Sequence, residues 1–126
     1  MLAKANLKVL IVDDSITIRE LMKQQLKELG VCCFETAETG IEALELFQIS
    51  NPNLVFLDIN MPKMNGVEAL SKMMVINPKA YIIILSSLCT KEKVNETMQC
   101  GAKNFFMKPI DDKKMEHIIL EASQLF

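Results

Sequence analysis

Leu54-Val55-Phe56-Leu57-Asp58-Ile59-Asn60-Met61-Pro62 is the stretch whose reading decides the fold, an aliphatic and aromatic run that stops on a carboxylate and is closed by Pro62 and Gly66. The run is too short for a helix and has no polar alternation. It reads as a strand buried on both faces, the pattern of a parallel sheet covered by helices. A single such strand has no partner, so the same pattern must recur elsewhere in the chain.

Val9-Leu10-Ile11-Val12 precedes a pair of acids, Asp13 and Asp14, and Tyr81 to Leu85 precedes Ser86. Val31 to Phe34 and Asn104 to Met107 supply two further candidates, bounded by polar or turn residues. Segments of helical period lie between them. Ile18, Leu21, Met22, Leu26 and Leu29 make a core stripe on the first, Ala43, Leu44 and Phe47 on the second, and Met115, Ile118, Ile119 and Ala122 on the last. Strand and helix alternating five times is the signature of βαβ units feeding one parallel sheet. Strands 1, 3 and 4 are continuous apolar runs and suit the interior. Strand 2 runs into Glu35 and strand 5 begins at Asn104 and ends at Lys108, so these suit the edges. The expected order is 2-1-3-4-5, with helices on both faces.

That order places a crevice between the carboxyl ends of strands 1 and 3, where the chain reverses its direction across the sheet. Asp13, Asp14 and Asp58 sit at those ends. Any one of them alone reads as a helix N-cap, a role open to Asp13, Asp14 or Ser15. Three carboxylates together repel unless a proton or cation compensates, and oxygen ligands suit a hard divalent ion such as Mg²⁺, with Mn²⁺ able to substitute. Such an ion accepts phosphate oxygens as its remaining ligands, and a carboxylate can attack phosphorus to give an acyl phosphate. Ser86 adds a hydroxyl, and Lys108, fixed before Pro109, adds a positive charge at the same end of the sheet.

Length and composition bound the rest. The chain of 126 residues is long enough for one core and too short for two ordinary domains. Half the residues are apolar and the net charge is −2, which excludes a disordered chain and gives no basic face for nucleic acid. The longest apolar run, Ile82 to Leu85, is far below a membrane span, and Met1 to Lys8 lacks a secretory apolar region. A cytoplasmic location is expected, with Cys32, Cys33, Cys89 and Cys100 as reduced thiols, because they lack metal-ligand spacing.

The acid pair after strand 1, Asp58-Ile-Asn-Met-Pro with Gly66, Ser86 after strand 4 and Lys108-Pro109 after strand 5 together resemble a response-regulator receiver domain. Among receivers the chain is similar to stand-alone chemotaxis regulators of the CheY type. The resemblance covers essentially all of 1–126 and implies a single flavodoxin-like (βα)5 domain with no attached output domain. It implies that Asp58 is the phosphoacceptor for a sensor histidine kinase. Asp14 is then a direct Mg²⁺ ligand, Asp13 a ligand through water, and the main-chain carbonyl of Asn60 a further ligand. Ser86 and Lys108 bond the phosphoryl group. Ser86 and Phe105 form the switch, Phe105 keeping the ring but lacking the hydroxyl that relatives often carry there. The output partner is expected on the face of helix 4, strand 5 and helix 5, with no nucleic acid and no membrane involved. Such a protein is a switch that catalyses only its own phosphorylation and dephosphorylation, and a phosphorelay intermediate serving a histidine phosphotransfer protein is the close alternative.

Two rivals of other classes fit less well. A haloacid-dehalogenase phosphatase carries its nucleophile and second acid as D-x-D after the first strand, whereas here the first-strand acids are adjacent. A flavodoxin-like cofactor binder needs a phosphate-cradling loop where Asp13-Asp14-Ser15 would repel phosphate. His117 is expected to be a surface residue. Met73, Met74, Met98 and Met115 are expected to fill core gaps. Met61 and Met64 lie in the loop after Asp58 and are open between core and surface; exposed there, they could contact a kinase or output partner.

Overall fold

The structure is a computed structural model that describes residues 7–61 and 64–126, so Pro62 and the extreme N-terminus lie outside the described residues. Five parallel strands, β1 (Lys8–Val12), β2 (Cys33–Ala37), β3 (Leu54–Asp58), β4 (Tyr81–Ser86) and β5 (Asn104–Met107), pair in the order β2-β1-β3-β4-β5. Between and after them come α1 (Ile16–Glu28), α2 (Gly40–Ser50), α3 (Gly66–Ile76), α4 (Lys91–Gln99) and α5 (Asp112–Leu125). The expected order and the parallel pairing are both present.

Side-chain alternation along the three interior strands splits the core in two. Leu10, Val12, Val55, Leu57, Ile82 and Ile84 pack with Ala43 and Phe47 of α2 and Ala69, Leu70 and Met73 of α3. Val9, Ile11, Leu54, Phe56, Ile83 and Leu85 point the other way, onto Met22 and Leu26 of α1 and Met115, Ile118, Ile119 and Ala122 of α5. Every residue of β3 is buried, as the unbroken apolar run requires of a central strand.

All five helices start on a side-chain cap: Ser15, Thr39, Asn65, Thr90 and Asp111 each accept a hydrogen bond from a main-chain N–H of the first turn. Ser15, rather than Asp13 or Asp14, therefore caps α1, leaving Asp14 outside the capping scheme. Capping in this way fixes where each strand must hand over to its helix.

Several expectations are corrected. Strand 2 begins at Cys33 and runs to Ala37 rather than spanning Val31 to Phe34. Gly30 takes φ +88°, and the N–H of Val31 bonds back to the carbonyl of Leu26, so Val31 belongs to the close of α1. Leu21 is exposed, because Met22 and Leu26 already fill the inward stripe of α1. Met61 is buried and Met64 packs half-buried against the α2–α3 core, so the open pair falls on the core side. Met98 is exposed on α4, whose only buried residue is Thr97. The cysteines form no disulfide, and His117 is exposed as expected, its Nε2 2.6 Å from Glu121 Oε1.

Candidate functional site

The register of the parallel ladder assembles the site. Val12 lies beside Leu57, so the next residues, Asp13 and Asp58, are neighbours at the ends of β1 and β3. Asp58 lies beside Leu85, which puts Ser86 one step further along β4. Ser86 in turn lies beside Met107, which puts Lys108 one step past β5. Residues from four different strand ends thus meet at the reversal point of the sheet, where ligands of open α/β sheets bind.

Asp13 and Asp58 are buried at 0% and 1% exposure, Ser86 at 0%, and Asp14 stands exposed at the mouth. One carboxylate oxygen from each of Asp13, Asp14 and Asp58 lies within 4.8 Å of the others. Lys108 Nζ reaches between the two buried acids, 3.0 Å from Asp13 Oδ2 and 3.2 Å from Asp58 Oδ2. One cation cannot neutralise three carboxylates, and the donor set is entirely oxygen, which is the chemistry a hard divalent ion fits. The exposed position of Asp14 gives such an ion a route in from solvent.

Main-chain donors hold the acids in place. Asp58 Oδ1 accepts the N–H of Asn60 at 3.0 Å, and Asp13 Oδ1 accepts the N–H of Ser15 at 2.9 Å. Burial pushes the Asp58 carboxyl above its ordinary value, opposed by the Asn60 N–H; Asp13 adds to the rise and Lys108 pulls against it. Burial works against the Lys108 ammonium, but the hydrogen bond it donates to Asp13 and the charge of Asp58 outweigh it, and Lys108 sits above its ordinary value. The site therefore holds its lysine charged and strains its central carboxylate toward the neutral form.

Ser86 Oγ donates to the Leu88 carbonyl at 2.7 Å and accepts the Leu88 N–H at 3.1 Å, with Asn60 Nδ2 at 3.4 Å. Its hydroxyl is thereby committed to the β4–α4 loop. The Lys108-Pro109 peptide is cis, and the Lys108 N–H donates to the Ser86 carbonyl at 2.8 Å. Phe105 does not join this cluster; it is half-buried against the α2–α3 core, beside Ile84 in the ladder.

One contributor escaped the sequence reading. Arg19, the chain's one arginine, donates to the main-chain carbonyl of Asp13 at 2.7 Å and so braces the β1–α1 loop. Its place on α1 after the acid pair was the available signal. Gly66, which the sequence marked as closing the segment after strand 3, has a structural reason: a Cβ there would stand 2.3 Å from Ile59 Cα and 2.6 Å from the Asp58 carbonyl oxygen. Only a glycine lets α3 begin so close to the acid-bearing turn.

An open parallel sheet that gathers three acids, a hydroxyl and a lysine at its switch point defines an α/β domain with an acidic pocket whose oxygen donors fit a divalent ion. More particularly, the chain belongs to the response regulator receiver domain family, whose model matches residues 9–120. It is 34% identical over 117 residues to the chemotaxis protein CheY of Thermotoga maritima, covering 93% of this chain and 98% of that one. It is also 36% identical over 106 residues to sporulation initiation phosphotransferase F of Bacillus subtilis, covering 84% and 85%. The structure of the CheX-CheY-BeF3-Mg²⁺ complex from Borrelia burgdorferi superposes with a TM-score of 0.85 at 34% identity, covering 91% of this chain and 87% of that one. The chain is thus a CheY-type receiver of two-component signalling, and among the described residues no helix is long and apolar enough to cross a membrane.

Proposed function

We propose that the protein is a response regulator that accepts a phosphoryl group on Asp58 from a histidine kinase in a Mg²⁺-dependent reaction. The observation that carries this reading is the convergence of Lys108 Nζ on the Asp13 and Asp58 carboxylates within hydrogen-bond distance. An Asp58 oxygen attacks phosphorus while the P–N bond to the donor imidazole breaks, and the imidazole leaves with the electron pair and takes up a proton. Attack needs the ionised carboxylate, which burial disfavours and Lys108 and the Asn60 N–H favour. Asp13, Asp14, Asp58 and the main-chain carbonyl of Asn60 would hold Mg²⁺. When bound, the ion offsets negative charge on the transferring oxygens.

Lys108 and Ser86 would then bond the phosphoryl oxygens, which bring about 1.5 to 2 negative charges and three strong acceptors into the crevice. Ser86 can do so only by leaving Leu88, so the β4–α4 loop shifts with it. Phe105, half-buried beside Ile84 of β4, turns inward in response and reshapes the face of α4, β5 and α5 for a protein partner in the cytoplasm. The partner must favour the phosphorylated form for this to signal. The protein has no substrate beyond its own phosphorylation and dephosphorylation.

Chemotaxis is the pathway best supported, through the near full-length match to a chemotaxis CheY. The likeness to a sporulation phosphotransferase favours one second reading, a phosphorelay intermediate that passes the group to a histidine phosphotransfer protein. Acetyl phosphate with Mg²⁺ should label the wild type and not Asp58→Asn. Undiminished labelling of that variant would move the acceptor elsewhere. Transfer from the labelled protein to a histidine phosphotransfer protein would select the relay.

A further inference from the structure

We infer that Gln25 is a positioning residue for Lys108, acting through the β5–α5 junction; the inference rests on the reading of Asp58 and Lys108 given above. Gln25 lies on the inward side of α1 and is 5% exposed, in a stripe otherwise occupied by Met22 and Leu26. A polar amide is an expensive choice in an apolar helix–helix seam unless its hydrogen bonds do something there. Gln25 Nε2 donates to the main-chain carbonyl of Ile110 at 2.8 Å and to Asp112 Oδ1 at 3.0 Å. Both partners are acceptors only, so the amide can be oriented in one way alone.

These two bonds fasten α1 to the segment immediately after Lys108. Ile110 stands two residues beyond the lysine and is itself buried, and Asp112 opens α5. The other side of the same segment is held by the Lys108 N–H on the Ser86 carbonyl. The backbone carrying the lysine is therefore pinned at both ends, by β4 upstream and by Gln25 downstream. A lysine side chain is long and rotatable, so the direction in which its ammonium is delivered depends on how firmly its backbone is held. Loosening the downstream pin should spread Lys108 Nζ over positions short of Asp13 and Asp58. A Met at position 25 would fill the space and drop the donors. A Glu would keep the shape and set a carboxylate against the Ile110 carbonyl and Asp112.

The test compares wild type, Gln25→Met, Gln25→Glu, Lys108→Ala and the two double variants, all checked for folding by thermal unfolding. Acetyl phosphate labelling of Asp58 should slow by about 2- to 12-fold in each Gln25 variant, the worth of one net hydrogen bond. Mg²⁺ affinity should stay unchanged. In the Lys108→Ala background the same substitutions should cost little further, because the group they position is gone. Equal slowing in both backgrounds, or none in either, overturns the inference. Amide hydrogen exchange supplies an independent arm: the Lys108 N–H should exchange faster by a similar factor in the Gln25 variants, and unchanged protection there also overturns the inference. Should the wild type itself take no label, the reading of Asp58 fails, and the exchange measurement alone decides whether Gln25 fastens this segment.

Discussion

Lys108 Nζ stands 3.2 Å from Asp58 Oδ2, a contact between the last residue of β3 and the residue that follows β5 across the whole width of β4. It does not fully compensate the buried carboxylate, since burial still leaves the Asp58 carboxyl above its ordinary value. In chelator the folded state therefore holds the Asp58 proton to higher pH than the unfolded chain does. The stability this contributes is complete below the unfolded carboxylate value and is lost as pH rises through the folded one. Lys108 has the same sign of shift, but its contribution is lost only above the ordinary lysine value of 10.5 and leaves the acid window clear. Asp58→Asn should remove that acid-side slope and be more stable than the wild type at neutral pH without metal, by more than the ~0.5 kcal/mol of a neutral surface change. Denaturant unfolding across pH checks this. A wild type as stable as the variant at every pH would contradict it.

Asp14 differs from its neighbours in being exposed, which separates the ligand role proposed for it from any structural one. Asp14→Ala should leave the unfolding midpoint in chelator almost unmoved and weaken Mg²⁺ binding at least ~10-fold, since even partners beyond the first ligand sphere are worth that much. Titration with Mg²⁺ reads the second quantity. An unchanged affinity would remove Asp14 from the ligand set.

Gly66→Ala should destabilise the fold by about 1–3 kcal/mol, the usual cost of overpacking, because the clash is with main chain at Ile59 and Asp58 and no side chain can move aside. The turn that must yield carries Asp58, so labelling by acetyl phosphate should fall even at temperatures where the variant is fully folded. An alanine variant that unfolds and labels as the wild type does would show that the α3 start is more pliable than its geometry implies.

Much of this was legible in the sequence because a parallel sheet writes itself as unbroken apolar runs. Leu54 to Leu57 could be nothing else, and the acid at its end followed the strand into place. What stayed hidden depended on contacts between distant segments or on choices among equals. Cys33 to Ala37 alternates exposed and half-buried residues at an edge before the buried Ala37, so its start was set by how α1 closes at Gly30, which local apolarity does not report. Met61 was open between core and surface because it lies in the loop after Asp58, and it is drawn into the core formed by α2 and α3. The roles of Arg19 and Gln25 rest on main-chain carbonyls as partners, and a sequence does not display those.

Ser86 is held by the Leu88 main chain through both its donor and its acceptor, and it must give up that hold before it can bond a phosphoryl group. Ser86→Ala removes the hold and the later bond together, so two opposed effects are expected. The β4–α4 loop should open more readily, with the Leu88 amide losing exchange protection by an amount worth about 0.5–1.5 kcal/mol for the missing hydrogen bond. The label on Asp58 should at the same time lose a donor, and its effect on partner binding should weaken because nothing then draws the loop toward the phosphoryl group. Hydrogen exchange of the unlabelled protein reads the first effect, and amide shifts at Phe105 with and without label read the second. A Phe105 signal that moves as far in Ser86→Ala as in the wild type would disconnect the hydroxyl from the aromatic ring.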